Sequence, residues 1–290
     1  MPRFGAHLSI AGGHANAVAE ARRLGFDSLQ VFTKNNTQWA ARPLEADRAA
    51  AFRDAVAAAG LVDPVGHASY LINLASPDPA LWEKSIAALV DEVGRAEALG
   101  LVAMVVHPGA HMGAGEEAGV ARVAAALDAV HERTPGVRVQ VALETTAGQG
   151  TTIGHRFDHL GAILGAVREA GRLAVCVDTC HILAAGYRLA DPSSYTATIG
   201  ELDRAVGLGR VRVWHLNDSL RECGSRVDRH AGIGRGHLGL EAFRRVVADP
   251  RFAGLPMILE TPKGHDDDGE ELDAANLRLL RGLVDPSPPP

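Results

Sequence analysis

The chain has 290 residues, 47% of them apolar and only 4% aromatic, with a formal net charge of −6. No stretch reaches the ~18 consecutive apolar residues of a membrane helix, and three cysteines (Cys176, Cys180, Cys223) with no C-x-x-C pair indicate neither a disulfide framework nor a thiolate zinc site. The acidic balance lowers the prior for nucleic-acid binding without excluding it, because the charge of bound metal is missing from the count.

The start, Met-Pro-Arg-Phe, leads directly into a strand with no signal-peptide core, so with the cysteine usage a reduced, cytoplasmic location is expected. Arg3 to Ser9 reads as the first strand, and the helix after it closes at Gly25. Ser28 to Thr33 is the second strand. Its helix runs from near Leu44 to Ala59, with Phe52 and Val56 one turn apart and Gly60 as C-cap. The third strand, ending at His67, carries Pro64 and is the least regular. Ser76-Pro77 predicts an N-cap and first-turn proline for a long helix with Trp82, Ile86, Leu89 and Val93 on one face, stopped by Gly100. Strands four to eight end at His107, Glu144, Asp178, His215 and Glu260. The helices among them start near Gly115, His155, Asp191-Pro192 and Gly239. A last helix spans roughly Glu270 to Leu283, and residues 285–290 form a tail with no helix or strand signal. One domain over residues 1–284 is the expected organisation.

The strand ends carry the functional signal. V-V-H, V-A-L-E, A-V-C-V-D, R-V-W-H and M-I-L-E are short apolar runs, each closing on one metal-capable side chain, and L-V-D-P-V-G-H adds His67. Such runs are the text of strands buried on both faces. A lone His or carboxylate at their ends is costly to bury unless paired or metal-bound. The ends recur every ~35–45 residues, about one unit of a (β/α)8 barrel, which gathers all its strand ends on one face. The expected fold is therefore a single (β/α)8 TIM barrel of the α/β class, with a metal site at the C-terminal face of its strands.

Two local motifs add ligands. D-T-C-H places Asp178 and His181 so that they leave the backbone at different angles, suited to two neighbouring metals; the bland alternative is a helix N-cap Asp beside an incidental His. D-R-H sets Asp228 and His230 on the same side of an extended segment, where a solvated charged loop is the alternative. Any single strand-end His is more commonly a hydrogen-bonded core residue. Five strand-end ligands falling on one expected face outweigh that reading. Imidazole and carboxylate without thiolate suit zinc, manganese or iron in a hydrolytic site, and nine candidates exceed one coordination shell. His14, His131, His155, His159, His237 and His265 fall on helices or outer loops and receive no role; His7 and His111 lie near strand ends as outer-shell or phosphate contacts.

These residues carry a resemblance. Gly5 to Gly13 (G-A-H-L-S-I-A-G-G), F-T-K-N, H-A-S-Y-L-I-N-L, H-P-G-A-H, E-T-T-A-G-Q-G, D-T-C-H-I-L-A-A-G-Y, H-L-N-D-S, G-S-R-V-D-R-H and I-L-E-T-P, in this order along the whole barrel, resemble the endonuclease IV family of apurinic/apyrimidinic (AP) endonucleases, which are xylose isomerase-like TIM barrels. The resemblance implies three zinc ions, with manganese as an alternative at one site. His67, His107 and a bridging Glu144 would hold one ion, Glu144, Asp178, His215 and Glu260 a second, and His181, Asp228 and His230 the third. Glu144, Asp178 and Glu260 would thereby be catalytic. It also implies hydrolysis of the phosphodiester 5′ of an abasic site in duplex DNA, leaving a 3′-hydroxyl and a 5′-deoxyribose phosphate, with 3′-end-cleaning phosphodiesterase activity. Tyr70 and Leu71 match the loop that enters the DNA, where ordinary loop packing is the alternative.

Lys34, Asn35, Thr37, Arg226 and Arg229 are candidate DNA contacts, as is Lys263, with solubilising charge the competing reading for the basic ones. Two departures stand out. Thr37 replaces an Arg common in the family shortly before the residue matching Trp39, and Arg235 sits between glycines where Glu is common. A metal-dependent sugar isomerase or epimerase on the same barrel is the main rival; it leaves D-R-H, His181 and Tyr70-Leu71 without purpose. A catalytically dead scaffold barrel is the third reading. Few exposed aromatics are expected, and with them a monomer.

Overall fold

In the computed structural model, which describes residues 1–284, eight parallel strands close around one axis and helices cover the outside. The barrel strands are β1 (Arg3–Ala6), β2 (Gln30–Phe32), β3 (Val65–His67), β4 (Ala103–Val106), β5 (Gln140–Glu144), β6 (Leu173–Asp178), β7 (Val211–His215) and, after a two-stranded hairpin of β8 (Asp218–Ser219) and β9 (His230–Ala231), β10 (Pro256–Leu259). Neighbours pair in the order β1-β10-β7-β6-β5-β4-β3-β2, and a parallel His7–Gln30 bridge joins the two ends. The helices are α1 (His14–Leu24), α2 (Ala46–Ala59), α3 (Pro79–Leu99), α4 (Glu116–Arg133), α5 (Phe157–Ala166), α6 (Thr179–Ala185), α7 (Pro192–Val206), α8 (Leu240–Ala248) and α9 (Leu272–Val284). No helix among the described residues is long and apolar enough to cross a membrane. The expected C-terminal tail, residues 285–290, lies outside the described residues.

Strand alternation explains what points where. Val65, Ala103, Val105, Ala142, Ala174, Cys176, Val213 and Ile258 form a separate buried cluster of mostly small side chains, the barrel interior. The intervening residues, among them Met104, Val106, Leu143, Val177, Trp214 and Leu259, belong to the layer between barrel and helices. Successive side chains in a strand face opposite sides. Counting on by two from the interior set therefore aims His67, His107, Glu144, Asp178, His215 and Glu260 inward at the C-terminal mouth. Gly5 shares that interior: a Cβ there would lie 2.7 Å from Ile258 Cδ1 and 2.8 Å from the Ser28 carbonyl. Without a side chain at Gly5, β1 and β10 keep their close approach.

The first strand ends at Ala6, short of the expected Ser9, and the second covers only Gln30–Phe32; two further differences concern helices. The long helix α3 starts at Pro79, not at Pro77, because the Asp78 carboxylate accepts from the amides of Ala80 and Leu81 (2.8 and 2.9 Å). Ser76 instead accepts from the Asp78 amide at 3.2 Å, shaping the turn before the cap. The short helix α6 was not anticipated. Asp178 is its N-cap, with Oδ1 accepting from the His181 amide at 2.8 Å. The N-cap reading of Asp178 and its place among the candidate ligands are thus compatible, since the other carboxylate oxygen faces His215 and His230 at 3.9 and 3.8 Å.

Candidate metal centre

Glu144, the last residue of β5, is fully buried and lies at the centre of the mouth. His67 Nε2 and His107 Nε2 approach its Oε2 at 3.2 and 2.9 Å; His215 Nδ1 and His181 Nδ1 approach Oε1 at 3.0 and 3.3 Å. His215 Nδ1 is also 3.1 Å from Glu260 Oε2 and 3.9 Å from Asp178 Oδ2. On the far side, Asp228 stands between two imidazoles, Oδ2 at 3.2 Å from His181 Nε2 and Oδ1 at 3.2 Å from His230 Nε2. Three overlapping sets of donor atoms result: His67, His107 and Glu144; Glu144, Asp178, His215 and Glu260; and Asp178, His181 and His230, with Asp228 joining the last through His230. All nine side chains singled out in the sequence as ligands fall in these sets. Cys180 also adjoins Asp228 and His230. Burial pushes its thiol up to about 12, which makes it a poor ligand at neutral pH.

Hydrogen bonds on the far side of each ring fix which nitrogen faces the centre. His67 Nδ1 donates to the Ala68 carbonyl (2.8 Å), His181 Nδ1 to that of Thr145 (2.8 Å) and His230 Nδ1 to that of Glu260 (3.1 Å). His215 Nε2 donates to the Gln30 amide oxygen at 2.8 Å. A neutral imidazole that donates through one nitrogen presents a lone pair at the other. The inner nitrogens of these rings therefore face carboxylates with lone pairs, an arrangement that only a proton or a cation can stabilise. His230 Nε2 makes the point most plainly: it is buried and has no hydrogen-bond partner despite its nearness to Asp228. The donor set of imidazoles and carboxylates is that of a divalent first-row cation, and the residues fit such an ion.

The electrostatics agree. Burial alone would raise Glu144, but the charges of His107 and His215, with hydrogen bonds from His107 and His181, hold its carboxyl well below the usual range. Glu260 is likewise held low against burial by His215 and by hydrogen bonds from His215 and His7. Burial opposes a charge on His230, yet the Asp228 carboxylate 3.2 Å from Nε2, and after it the Asp178 carboxylate, raise it to about 9. His67 and His181 are raised in the same way, against burial, by the carboxylates they face, and His215 by Cys176 first and then by Glu260 and Glu144. Without a cation, protons hold these rings beside the carboxylates; with one, the inner protons must leave.

A second layer orients the acids. Asn217 donates to Asp178 Oδ2 (2.6 Å) and accepts from the Glu260 amide (2.8 Å), and the Thr145 hydroxyl accepts from the Asp178 amide at 2.9 Å. Neither residue was singled out in the sequence; Asn217 was visible only as part of H-L-N-D. His7, expected as an outer contact, has Nδ1 at 3.1 Å from Glu260 Oε1. His111 turns the other way and accepts from the amides of Gly113 and Gly115, organising its own loop.

The rim is mixed. Tyr70 is 58% exposed, and its ring centroid lies 5.2 Å from that of His67 and 5.8 Å from that of His107, over the cluster. Leu71 beside it is half-buried. Asn35, Thr37, Arg226 and Arg229 are exposed. Asn35 Oδ1 accepts from both the amide and the hydroxyl of Thr37 (3.0 and 2.7 Å), so this pair shapes its own turn. Lys34 corrects the sequence expectation: its side chain is 2% exposed, with Nζ 2.9 Å from Asp91 Oδ2 and 3.6 Å from Glu92 Oε1. A buried, paired ammonium is not available to a phosphate. Lys263 is paired with Asp273 at 2.7 Å. Glu92, buried on α3 and unanticipated, also accepts from the Thr33 hydroxyl and the Ser69 amide. One carboxylate thus ties the loop bearing Asn35 and Thr37 to the loop bearing Tyr70.

A second His and carboxylate group lies on the outside of the barrel, made of Glu116, His155 and His159. Here one of the two rings closes its hydrogen bonds without an ion, whereas His155 donates through Nδ1 to the Thr152 carbonyl at 2.9 Å and leaves Nε2 3.5 Å from Glu116 Oε1. His159 Nδ1 accepts from the Gly154 amide at 3.2 Å, so Nε2 carries the proton and donates to Glu116 Oε2 at 3.2 Å. Arg156 adds a guanidinium 3.3 Å from the same oxygen.

Residues 18–283 match the family model described as a xylose isomerase-like TIM barrel. A protein named probable endonuclease 4 from Chloroflexus aurantiacus is 54% identical over 284 residues, covering 98% of this chain and 99% of the relative. One of the same name from a Geobacter species is 46% identical over 285 residues, covering 98% and 100%. The chain belongs to the endonuclease 4 family. The crystal structure of endonuclease IV from Thermus thermophilus superposes with a TM-score of 0.86 at 40% identity, covering 99% of this chain and 100% of that one. A D-tagatose 3-epimerase-like protein superposes at TM-score 0.73 but only 16% identity, a likeness of fold alone. Family membership, and not barrel shape, therefore separates this chain from the sugar epimerases.

Proposed function

We infer that this endonuclease 4 family member is a DNA repair AP endonuclease, hydrolysing the phosphodiester 5′ of an abasic site in duplex DNA and trimming blocked 3′ ends by the same chemistry. The observation that carries the reading is the Glu144-centred cluster, in which imidazole lone pairs converge on buried carboxylates beneath an exposed aromatic. Three zinc ions are the proposed complement, manganese being an alternative at one site: His67, His107 and Glu144 would hold one, Glu144, Asp178, His215 and Glu260 another, and His181, Asp228 and His230 the third. Such ions supply Lewis acidity toward the phosphate oxygens and make hydroxide available near neutral pH.

The chain's own residues do the rest. Glu144 presents one oxygen to His67 and His107 and the other to His215, so a single carboxylate sets the spacing of two ion sites. Asp178 and Glu260 are anchored by Asn217 and bring further negative charge to the same point. Tyr70 and Leu71 offer an aromatic and an aliphatic surface beside the cluster, suited to filling the gap left by a missing base. Arg226 and Arg229 flank Asp228 and can reach backbone phosphates, as can the exposed turn of Asn35 and Thr37. The enzyme is proposed to act as a monomer in the cytoplasm, where its three free cysteines stay reduced.

The test is a duplex carrying one abasic-site analogue, incubated with metal-replete protein. A single cut on the 5′ side leaving a 3′-hydroxyl, lost on chelation, is expected. An intact duplex, with epimerisation of a free sugar instead, would overturn the reading.

A further inference from the structure

We propose that Gln30 is a positioning residue for the ion site of Glu144, Asp178, His215 and Glu260, fixing with one amide both the ring orientation of His215 and the carboxylate of Glu260. The proposal rests on the metal-centre reading above. Gln30 opens β2, is fully buried, and lies at the seam where the His7 bridge closes the barrel. Its side chain reaches into the mouth from a strand that contributes none of the nine candidate ligands.

The direction of the amide follows from its neighbours. Glu260 Oε1 lies 2.6 Å from one end of the amide and His215 Nε2 lies 2.8 Å from the other. A carboxylate only accepts, so the NH2 end must face Glu260 and the oxygen must face His215. His215 therefore carries its proton on Nε2. Its Nδ1 lone pair is left facing Glu144 and Glu260 at 3.0 and 3.1 Å, the position a metal ligand requires. The same amide occupies Glu260 Oε1 and leaves Oε2 turned toward the cluster. His7 contributes a second contact to Oε1 at 3.1 Å. The amide thus couples a neutral and an anionic ligand of one site, a role that a plain apolar core residue at position 30 could not fill.

Residues that orient metal-binding side chains in this way typically change affinity about 10–100-fold when replaced. Gln30→Met keeps length and volume but removes both hydrogen bonds. Zinc affinities of the wild type and Gln30→Met, measured by chelator competition, should differ by about 10–100-fold for one ion and remain equal for the others. Activity at limiting zinc should fall in parallel and recover at saturating zinc, while the melting temperature of the chelated variant stays close to wild type. A filler role alone would lower that melting temperature and leave zinc affinity unmoved. Equal affinity for every ion in Gln30→Met would overturn the proposal.

A second measurement does not depend on the variant folding. The imidazole 15N resonances of His215 in zinc-loaded wild type should report a protonated Nε2 and a ligating Nδ1. The reverse assignment would sink the idea. Failure of the wild type to bind zinc at all would instead refute the metal-centre reading itself, so the two failures are distinguishable.

Discussion

Two His and carboxylate clusters of similar composition sit on this barrel, and their hydrogen bonds set them apart. Around Glu144, far-side acceptors (the carbonyls of Ala68, Thr145 and Glu260 and the amide oxygen of Gln30) force lone pairs inward. Around Glu116, the Gly154 amide fills the His159 acceptor position, so the ring's remaining proton satisfies the carboxylate directly. His155, donating through Nδ1 to the Thr152 carbonyl, keeps an inward lone pair like the rings around Glu144, so the contrast rests on His159 together with the exposure of Glu116 and its Arg156 partner. Glu144 is also fully buried, whereas Glu116 is half-exposed and paired with Arg156. A buried, unneutralised acid would cost several kcal/mol, while an exposed one costs little.

The largest way to break the comparison is Glu144→Ala. It removes a carboxylate shared between two sets and leaves four imidazoles crowded together. Incision should fall at least ~10³-fold, since a Lewis-acid site supplies several kcal/mol and each 1.4 kcal/mol is tenfold. Bound metal should drop with it, and retained activity would contradict the assignment. Tyr70→Ala is next. Its ring covers only the Glu144 cluster, so affinity for abasic duplex should weaken by about 1–3 kcal/mol, the range for an aromatic stacked on a base, at unchanged metal content. Titration of abasic-duplex binding checks this; unaltered affinity would return Tyr70 to ordinary loop packing.

Protons provide a third separation. His230 is raised from 6.5 to about 9, so in the cation-free protein its pairing contributes stability fully below pH 6.5, and that contribution is lost as pH rises through about 9. Metal binding must expel such protons, so apparent zinc affinity should rise over the same interval. Melting curves of chelated protein and zinc titrations across pH 6 to 9 should therefore move in opposite directions. The smallest effect belongs to the other cluster. Glu116→Ala removes a hydrogen bond worth about 1 kcal/mol or less at a half-exposed site, lowering the melting temperature by about 2–4 °C without touching metal content.

Much of this was legible in the chain itself, and the limits have physical causes. Apolar runs ending in one ionisable residue located the barrel strands, because strands buried on both faces leave little else polar to read. The alternation of Val105 with His107, or Ala142 with Glu144, even sets which way each side chain points. Gln30 escaped notice because it stands at the start of its strand, not at the end, inside a run that reads as core. The start of α3 was misplaced because Ser76-Pro77 and Asp78-Pro79 are equally good caps on paper, and only the Asp78 geometry chooses between them. Lys34 looked like a phosphate contact because its partners, Asp91 and Glu92, lie far along the chain on α3. Likewise, the Glu116 cluster was hidden, since its histidines come from the loop before α5 and from α5 itself, and the carboxylate from α4.

The most direct test is a metal count by mass spectrometry on zinc-loaded, dialysed protein, run beside Glu144→Ala and Glu116→Ala. About three zinc per chain are predicted for the wild type, the same for Glu116→Ala, and fewer for Glu144→Ala. A wild-type count near one, or a loss that follows Glu116 and not Glu144, would contradict the account.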